Sequence, residues 1–564
     1  MKEILCDLVA KYLNGFTKDE IISFLEVTSN PDMGDFSLPC FTMAKKLKKS
    51  PIRIAEELKL SIMQDEETSV ISELKVVNGY LNFFINRELY IHKVINLAME
   101  NDYGVSDEGK GKVIAMDYSS PNIAKNFHVG HLRTTIIGNS LYKIYDKLGY
   151  QVIRINHLGD WGTQFGKLIV AYKNWSSKEQ VQEKGIEELL RIYMLFSAKA
   201  EKNPELNEEA RAWFARMEQG DEEALSIWKW FNDISMIEFQ RIYKMLGVEF
   251  DYYTGESFYM KEVPVLVEKL KEKKLLEESE GANIINLKDY NMPPCLITKK
   301  DGSSIYHSRD IAAVLYRKQQ YKFDKCIYVT GTEQNLHFAQ VFKVVELMGY
   351  EWHQELMHVP YGLVSLKGAK LSTRNGNIIY AEDMLNEAIE RSTTIIEQKN
   401  PLLKDKESVA KKVGIGAVIF HDLYNQRIKN VDFSWEDILN FDGATGPYVQ
   451  YTYARSKSIL RKVGNAINID INAKLLSDEA SYNLIKNIAL YPEKIKEAAK
   501  RYEPFIISRY MINLSSAFNK FYQECNIMNV NKELQEARLL LVELTGKIIK
   551  EGMGLLGIEC PEEM

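Results

Sequence analysis

Two histidines bracket a glycine in His128-Val129-Gly130-His131, at the end of the polar stretch Ser119-Ser120-Pro121-Asn122-Ile123-Ala124-Lys125-Asn126-Phe127. The stretch lies between a strand-like run, Val113 to Met116, and a helix-like run ending near Leu148. A helix N-terminus presents unpaired N–H groups and the positive end of a dipole, so a loop feeding one suits a phosphate, and Gly130 allows close backbone approach. His128 and His131 could donate hydrogen bonds to phosphate oxygens, which matters most as an α-phosphorus gains negative charge. Alone, the pattern fits surface histidines in a turn equally well. A second segment shifts the balance: Lys370-Leu371-Ser372-Thr373-Arg374 sits between glycines Gly368 and Gly376 and reads as a flexible basic loop. Such a loop can close a lysine over a triphosphate, so these two segments are expected to hold ATP.

The elements around the histidines follow a strand, helix, strand order. Val113 to Met116 and Val152 to Ile155 flank a helix from Leu132 to Leu148, in which Ile137, Leu141, Ile144 and Leu148 share one face and Gly149 stands at the cap. A second unit runs from Cys326–Val329 through a helix starting near Asn335, with Phe338, Val341, Phe342 and Val345 on one face, to a strand around Met357–Val359. Two such units predict an α/β fold with a doubly wound, Rossmann-like parallel sheet. Between them, residues 176–245 are charged and helix-patterned, which predicts a helical insertion. Its Trp228-Lys229-Trp230-Phe231 could stack on bases, but at helical spacing it reads as packing.

The flanks differ in character. Residues 1–105 predict a small α/β domain, with strand-like runs Leu74–Val77 and Leu81–Ile85 around Asn78-Gly79; its basic patch, Lys45 to Lys49, reads as a solvated helix face. Asp102 to Lys112 reads as a linker. Residues 109–383 form the central domain, and 384–564 predict helices throughout, including Val413–Leu423, Tyr448–Val463, Ile485–Tyr502 and Ala537–Leu556. There Tyr448, Tyr451, Tyr453, Arg455, Lys457, Arg461 and Lys462 interleave rings and cations, a surface that suits single-stranded RNA, although an ordinary amphipathic helix would look similar.

Composition narrows the function. Lysine and arginine number 72 against 78 acidic residues, a net charge of −6, so the chain is no general polyanion binder and any nucleic-acid contact must be local. The 564 residues, 45% of them hydrophobic, allow several sizeable cores. Six cysteines (Cys6, Cys40, Cys295, Cys326, Cys525, Cys560) form no Cys-x-x-Cys pair, which argues against both a disulfide framework and a zinc ribbon and fits a reduced cytoplasm. The first residues lack a signal peptide's apolar core, and no apolar run has the ~18 residues of a membrane span. A cytoplasmic protein without a membrane or structural metal is expected.

With these features together, the sequence resembles the arginyl-tRNA synthetase family within the class I aminoacyl-tRNA synthetases. His128–His131 is similar to the class signature His-Ile-Gly-His, and Lys370–Arg374 to the Lys-Met-Ser-Lys-Ser loop. Ser120-Pro121-Asn122-Ile123-Ala124-Lys125 and the ending Gly552–Met564 are more specific to the arginyl branch, and the likeness spans essentially the whole chain. Thr373 stands where the signature loop has its second lysine; the resemblance implies that Lys125 supplies the missing charge. It also implies catalytic roles for His128, His131, Lys125 and Lys370, and ATP contacts from His128, Gly130, His131, Lys370, Leu371, Ser372, Thr373 and Arg374. Mg²⁺ would accompany ATP. The product would be arginyl-adenylate, then tRNA(Arg) charged at its 3′-terminal adenosine by a monomeric enzyme.

A guanidinium is planar, permanently charged and rich in donors, so its pocket needs a carboxylate and neutral acceptors. A helix starting near Tyr306 would put Tyr306 and Asp310 one turn apart. The resemblance makes both arginine-pocket residues, together with Asp117, Asn122 and Gln334, and places Asn156–Gly162 along the same crevice. Tyr80 and Asn82 near the N-terminus, and Tyr451 and Arg455 near the C-terminus, are candidate tRNA contacts. Three rival readings exist. A small-molecule nucleotidylyltransferase would be shorter and lack the helical tail. A non-catalytic RNA-binding relative would lose the histidines or Lys370. A zinc hydrolase would need further ligands at metal spacing.

Overall fold

The computed structural model describes residues 1–28, 31–65, 68–300, 302–366, 369–370, 380–464 and 471–564. The chain divides into two compact units. One joins Met1–Tyr103 to Val463–Leu490 and Ser516–Thr545; the other joins Gly104–Lys462 to Tyr491–Ser515 and Gly546–Met564.

The larger unit is organised by a five-stranded sheet. Its strands are β1 (Val113–Asp117), β2 (Gln151–Asn156), β3 (Tyr252–Tyr253), β4 (Lys325–Gly331) and β5 (Leu356–Tyr361), in the order β5-β4-β1-β2-β3 and all parallel. Helices α1 (Val129–Lys147), α2 (Glu222–Leu246), α3 (Tyr306–Tyr321) and α4 (Asn335–Leu347) serve its connections. In the central strand β1, Ile114 to Asp117 are all buried, as parallel strands covered on both faces require. Chain order reverses between β1 and β4, and the crevice beyond the carboxyl ends of these two strands is where such sheets take ligands.

Helix α1 is buried almost all round. The residues expected on one face, Ile137, Leu141, Ile144 and Leu148, are at most 1% exposed, but Thr134, Thr135, Asn139 and Ser140 on other faces are buried too. Gly138 makes this possible: a Cβ there would fall 2.2 Å from Tyr118 Cγ. The helix starts at Val129, three residues before the expected Leu132, because His128 caps it.

The insertion is helical, ending in α2, the longest of its helices at 25 residues. Its tryptophans pack: Trp228 Nε1 donates to the Asp160 carbonyl at 2.7 Å, and its ring lies 5.6 Å from that of Trp161. After β3 comes an antiparallel sheet that the sequence did not suggest, Glu277–Ser279, Ala282–Ile285 and Cys295–Thr298. It buries Ile285, Cys295 and Ile297 against Ile311, Ala312, Val341 and Val344 of α3 and α4. Beyond Ala381 the chain is mostly helical, as expected, including α5 (Lys406–Leu423). Two details differ. Val431–Phe433 is a strand, paired with Val364–Leu366. The expected helix Ile485–Tyr502 is two, Glu479–Ala489 and Tyr491–Arg501, interrupted ahead of Pro492, which cannot donate to a continuing helix.

In the smaller unit, strands Glu26–Val27, Phe36–Pro39, Tyr80–Ile85 and Ile71–Val77 form an antiparallel sheet in that order. The Asn78-Gly79 turn joins the last two, with positive φ at both residues, as a tight hairpin of this type demands. Lys46 of the basic patch lies over the Phe16 ring and 3.8 Å from Glu20, which fits the solvated-face reading. In the same unit, Tyr482 of Glu479–Ala489 donates to Asp35 and packs on Tyr90.

Candidate active site

His128 and His131 share in capping α1. The backbone N–H of Gly130 donates to His128 Nδ1 at 3.1 Å, and that of His128 points to His131 Nδ1 at 3.4 Å. The rings stack with centroids 3.8 Å apart. Burial first, then the charge of Lys125, lowers the pKa of His128; burial, His128 and Lys125 push that of His131 well below the ordinary value. Both imidazoles are therefore neutral near pH 7. Because each accepts at Nδ1, each carries its proton on Nε2, and the pair forms two preset N–H donors. Gly130 is required for a specific reason: a Cβ would come within 2.9 Å of His128 Cε1.

The loop before the histidines is held in an unfavourable backbone. Ser119, Ser120 and Ala124 have φ of 73°, 48° and 58°, left-handed values that cost non-glycine residues about 1–2 kcal/mol each. Hydrogen bonds offset this: Ser119 N donates to Thr134 Oγ1 (3.2 Å), Ser120 N to Asn156 Oδ1 (3.2 Å) and Ala124 N to Ser235 Oγ (3.0 Å). Ile123 N and Gly159 N exchange bonds with the carbonyls of Gly159 and Pro121. A Cβ on Gly159 would sit 2.1 Å from Asn122 Oδ1, so the glycine admits the Asn122 side chain. The result is a cavity of about 330 Å³ at the switch point, with His128, Gly130 and His131 on one side and Thr330, Gly331 and Gln334 on the other. Gln334 ends a 3₁₀ turn and precedes the first residue of α4. Lys125 stands on this loop, where its surroundings lower its ammonium's pKa by partial desolvation.

Three residues past Gln334, the chain reaches a second cluster. His337 Nε2 lies 2.6 Å from Asp310 Oδ2, and His157 Nε2 lies 3.4 Å from Asp310 Oδ1. Burial works against the charge on Asp310, but its contacts with His157 and His337 hold its carboxyl well below the usual carboxylate range. Reciprocally, Asp310 and Asp117 raise His157 despite its burial. Tyr306 is 52% exposed at the first position of α3, one turn before Asp310, as expected. Beside them, burial pushes Glu256 up to about 7 although Arg309 lies 3.2 Å away. An ionised, half-buried carboxylate next to an exposed tyrosine can take a planar cation.

Some expected residues take other places. Asp117 is committed within the protein: Arg317, 1% exposed, lies 2.8 Å from its Oδ2, and Ser120 donates to its Oδ1. Asn82 is fully buried and accepts from Ser37 Oγ at 2.7 Å, so the structure does not present it to a ligand; Tyr80 packs edge-on to Phe41. Tyr453 is 1% exposed, which removes it from the proposed ring-and-cation surface, whereas Tyr451 is exposed with the Arg455 guanidinium over its ring. The Lys370 backbone extends the strand Ala369–Lys370; its side chain, with Leu371, Ser372, Thr373 and Arg374, lies outside the described residues. His337, Arg317 and Glu256 were missed, for no spacing ties them to the motifs. His157 sat inside a stretch already placed along the crevice.

A parallel sheet with a histidine-capped helix at its switch point, followed by a helical C-terminal region, defines a class I aminoacyl-tRNA synthetase. The family profile for class I tRNA synthetases (R), catalytic domain, matches residues 93–435; that for the arginyl tRNA synthetase N terminal domain matches 2–85, and that for the DALR anticodon binding domain 449–564. The chain is 50% identical to arginine–tRNA ligases of Alkaliphilus metalliredigens and Halothermothrix orenii, covering 100% of this chain and 99% of each relative. The fold is similar to the arginyl-tRNA synthetases of Thermus thermophilus (TM-score 0.85, 23% identity, 100% of both chains) and Plasmodium falciparum (TM-score 0.82, 26% identity, 100% of this chain and 98% of that one). The chain belongs to the arginine–tRNA ligase family.

Proposed function

We propose that this chain joins arginine to tRNA(Arg) with the following division of labour. The arginine guanidinium sits on Asp310, with Tyr306 beside it, while Asn122 and Gln334 hold the α-amino and carboxylate end near the phosphate cavity. The carboxylate attacks the α-phosphorus of ATP, forming arginyl-adenylate and releasing pyrophosphate; the terminal adenosine of the tRNA then takes the arginyl group. No protein nucleophile takes part. His128 and His131 donate their Nε2–H groups to phosphate oxygens, where donors that need no reorganisation lower the barrier most. Lys125 and Lys370 face the departing pyrophosphate, and Leu371–Arg374 belong to the same closing loop.

Mg²⁺, arriving with ATP, would neutralise charge on the triphosphate; among the described residues no group of three His, Cys, Asp or Glu is placed to hold a metal ion. Asp117 acts through Arg317 and Ser120 by fixing the loop. Tyr451 and Arg455 are offered to the tRNA. Among the described residues no helix is long and apolar enough to cross a membrane, and a cytoplasmic monomer is the state proposed.

The observation that carries the arginine assignment is the ionised Asp310 held between His157 and His337, the latter three residues along the chain from Gln334 of the phosphate cavity. Its test is a charging assay with each standard amino acid against total tRNA in the presence of ATP and Mg²⁺. Only arginine should accumulate on tRNA; a different amino acid, or none, overturns the assignment.

A further inference from the structure

Lys143 lies about 22 Å along α1 from His128, at 1.5 Å per residue, so whatever it does is separate from the chemistry of the histidines. It lines a cavity of about 400 Å³ with Lys244 near the end of α2, Lys411 and Lys412 of α5, and Glu559 near the C-terminus; Ser408 adds a hydroxyl. Lys412 is paired with Glu559 at 3.3 Å. Among the described residues, no ion pair serves Lys143, Lys244 or Lys411. Lys143 is half-buried, and desolvation together with the charge of Arg154 lowers its pKa, only partly opposed by Asp146. In a chain where carboxylates outnumber cations, four ammonium groups around one cavity with a single carboxylate repel one another, and an anion would relieve that repulsion.

We propose that this cavity binds the phosphate backbone of the tRNA. The proposal rests on the arginine–tRNA ligase reading. Three observations select RNA. The cations are all lysines, point charges that position a backbone without the planar fork that reads a base edge. They come from separate segments, and the cavity is larger than one phosphate group. It also joins residues 143–416, inside the region matching the catalytic profile, to residues 554–559, inside the region matching the anticodon-binding profile. The region matching the catalytic profile and the region matching the anticodon-binding profile thus both contribute residues to one cationic cavity.

The test compares the wild-type protein with the triple variant Lys143→Gln/Lys244→Gln/Lys411→Gln for tRNA(Arg) binding over a range of salt concentrations. Each lost phosphate contact removes about 0.7–0.9 from the slope of log affinity against log salt, so the slope should fall by roughly two to three. Affinity should fall by about two- to fivefold per lysine, while kcat at saturating tRNA and the KM for arginine stay unchanged. Glu559→Gln, which frees Lys412, should instead tighten tRNA binding by about two- to fivefold. The melting temperature of Lys143→Gln should not drop, because an unpaired, desolvated ammonium contributes no stability to lose. An unchanged slope and affinity in the triple variant overturn the proposal. So does calorimetric binding of inorganic pyrophosphate that the triple variant loses while its tRNA slope stays the same, which would assign the cavity to a free phosphate ligand. If the wild-type protein fails to charge arginine at all, the underlying functional reading fails instead.

Discussion

Replacing Asp310 by Asn keeps the side-chain volume and removes the charge on which arginine selection depends. The carboxylate is 23% exposed on its side chain and already ordered by His337 at 2.6 Å, so little is lost in preparing it for a guanidinium. A hydrogen bond to a charged group contributes about 1.5–3 kcal/mol, and deleting one partner of a desolvated charged pair costs about 2–5 kcal/mol. Taking about 3 kcal/mol, with 1.4 kcal/mol per factor of ten, the KM for arginine should rise on the order of a hundredfold. The guanidinium is remote from the reacting phosphorus, so the contact is made equally in ground and transition states and kcat should fall far less. pH provides a second readout. Asp310 has a depressed pKa, so its charge is present above the ordinary value of about 3.9 and is lost only in strong acid; it does not titrate between pH 6 and 9. His157 has a raised pKa, so its pairing with Asp310 is complete below about 6.5 and is lost as pH rises through its higher folded value. An imidazolium there competes with the substrate's cation, so in the wild type the KM for arginine should fall as pH rises across that window, and in Asp310→Asn this dependence should flatten. The assay is steady-state charging at saturating ATP and tRNA with arginine varied. A KM within about twofold of wild type would remove Asp310 from the pocket and the reasoning with it.

Gly130→Ala should displace the His128 ring, since the new Cβ would lie 2.9 Å from Cε1, and reduce ATP–pyrophosphate exchange by about ten- to a hundredfold without lowering the melting temperature by more than a few degrees. Lys125→Ala should slow activation by about 10²-fold and leave the KM for arginine unchanged; equal turnover at saturating ATP and tRNA would exclude it from the pyrophosphate site. Arg317→Met leaves Asp117 charged and buried without its partner, so urea unfolding should show a loss of about 3–5 kcal/mol.

The parts of this fold that repeat a period were legible in the sequence. Ile137, Leu141, Ile144 and Leu148 announce a buried helix face, and the strands at Val113 and Cys326 stand out as apolar runs between polar loops. What the sequence hid is mostly what depends on distance. The sheet built from Glu277–Ser279, Ala282–Ile285 and Cys295–Thr298 consists of strands of three or four residues, too short for an alternation to show. His337 and His157 meet Asp310 only because α3, α4 and the loop after β2 converge. Asn82 carries no mark in the sequence to separate a polar side chain folded inward on Ser37 from one turned to solvent. The histidine motif was visible as letters, but the tautomers of its rings follow from the capping geometry, which no letter records.

The left-handed residues Ser119, Ser120 and Ala124 make the floor of the binding crevice answerable to side chains that never approach a substrate. Thr134 and Ser235, reaching in from α1 and α2, act as clasps on a sprung loop. Opening either clasp would let the segment relax toward an ordinary backbone, carrying Asn122 and Lys125 out of register while every reacting group stayed chemically intact. Variation at these two inconspicuous hydroxyls would therefore register as weakened activity, though neither would be mistaken for part of the machinery.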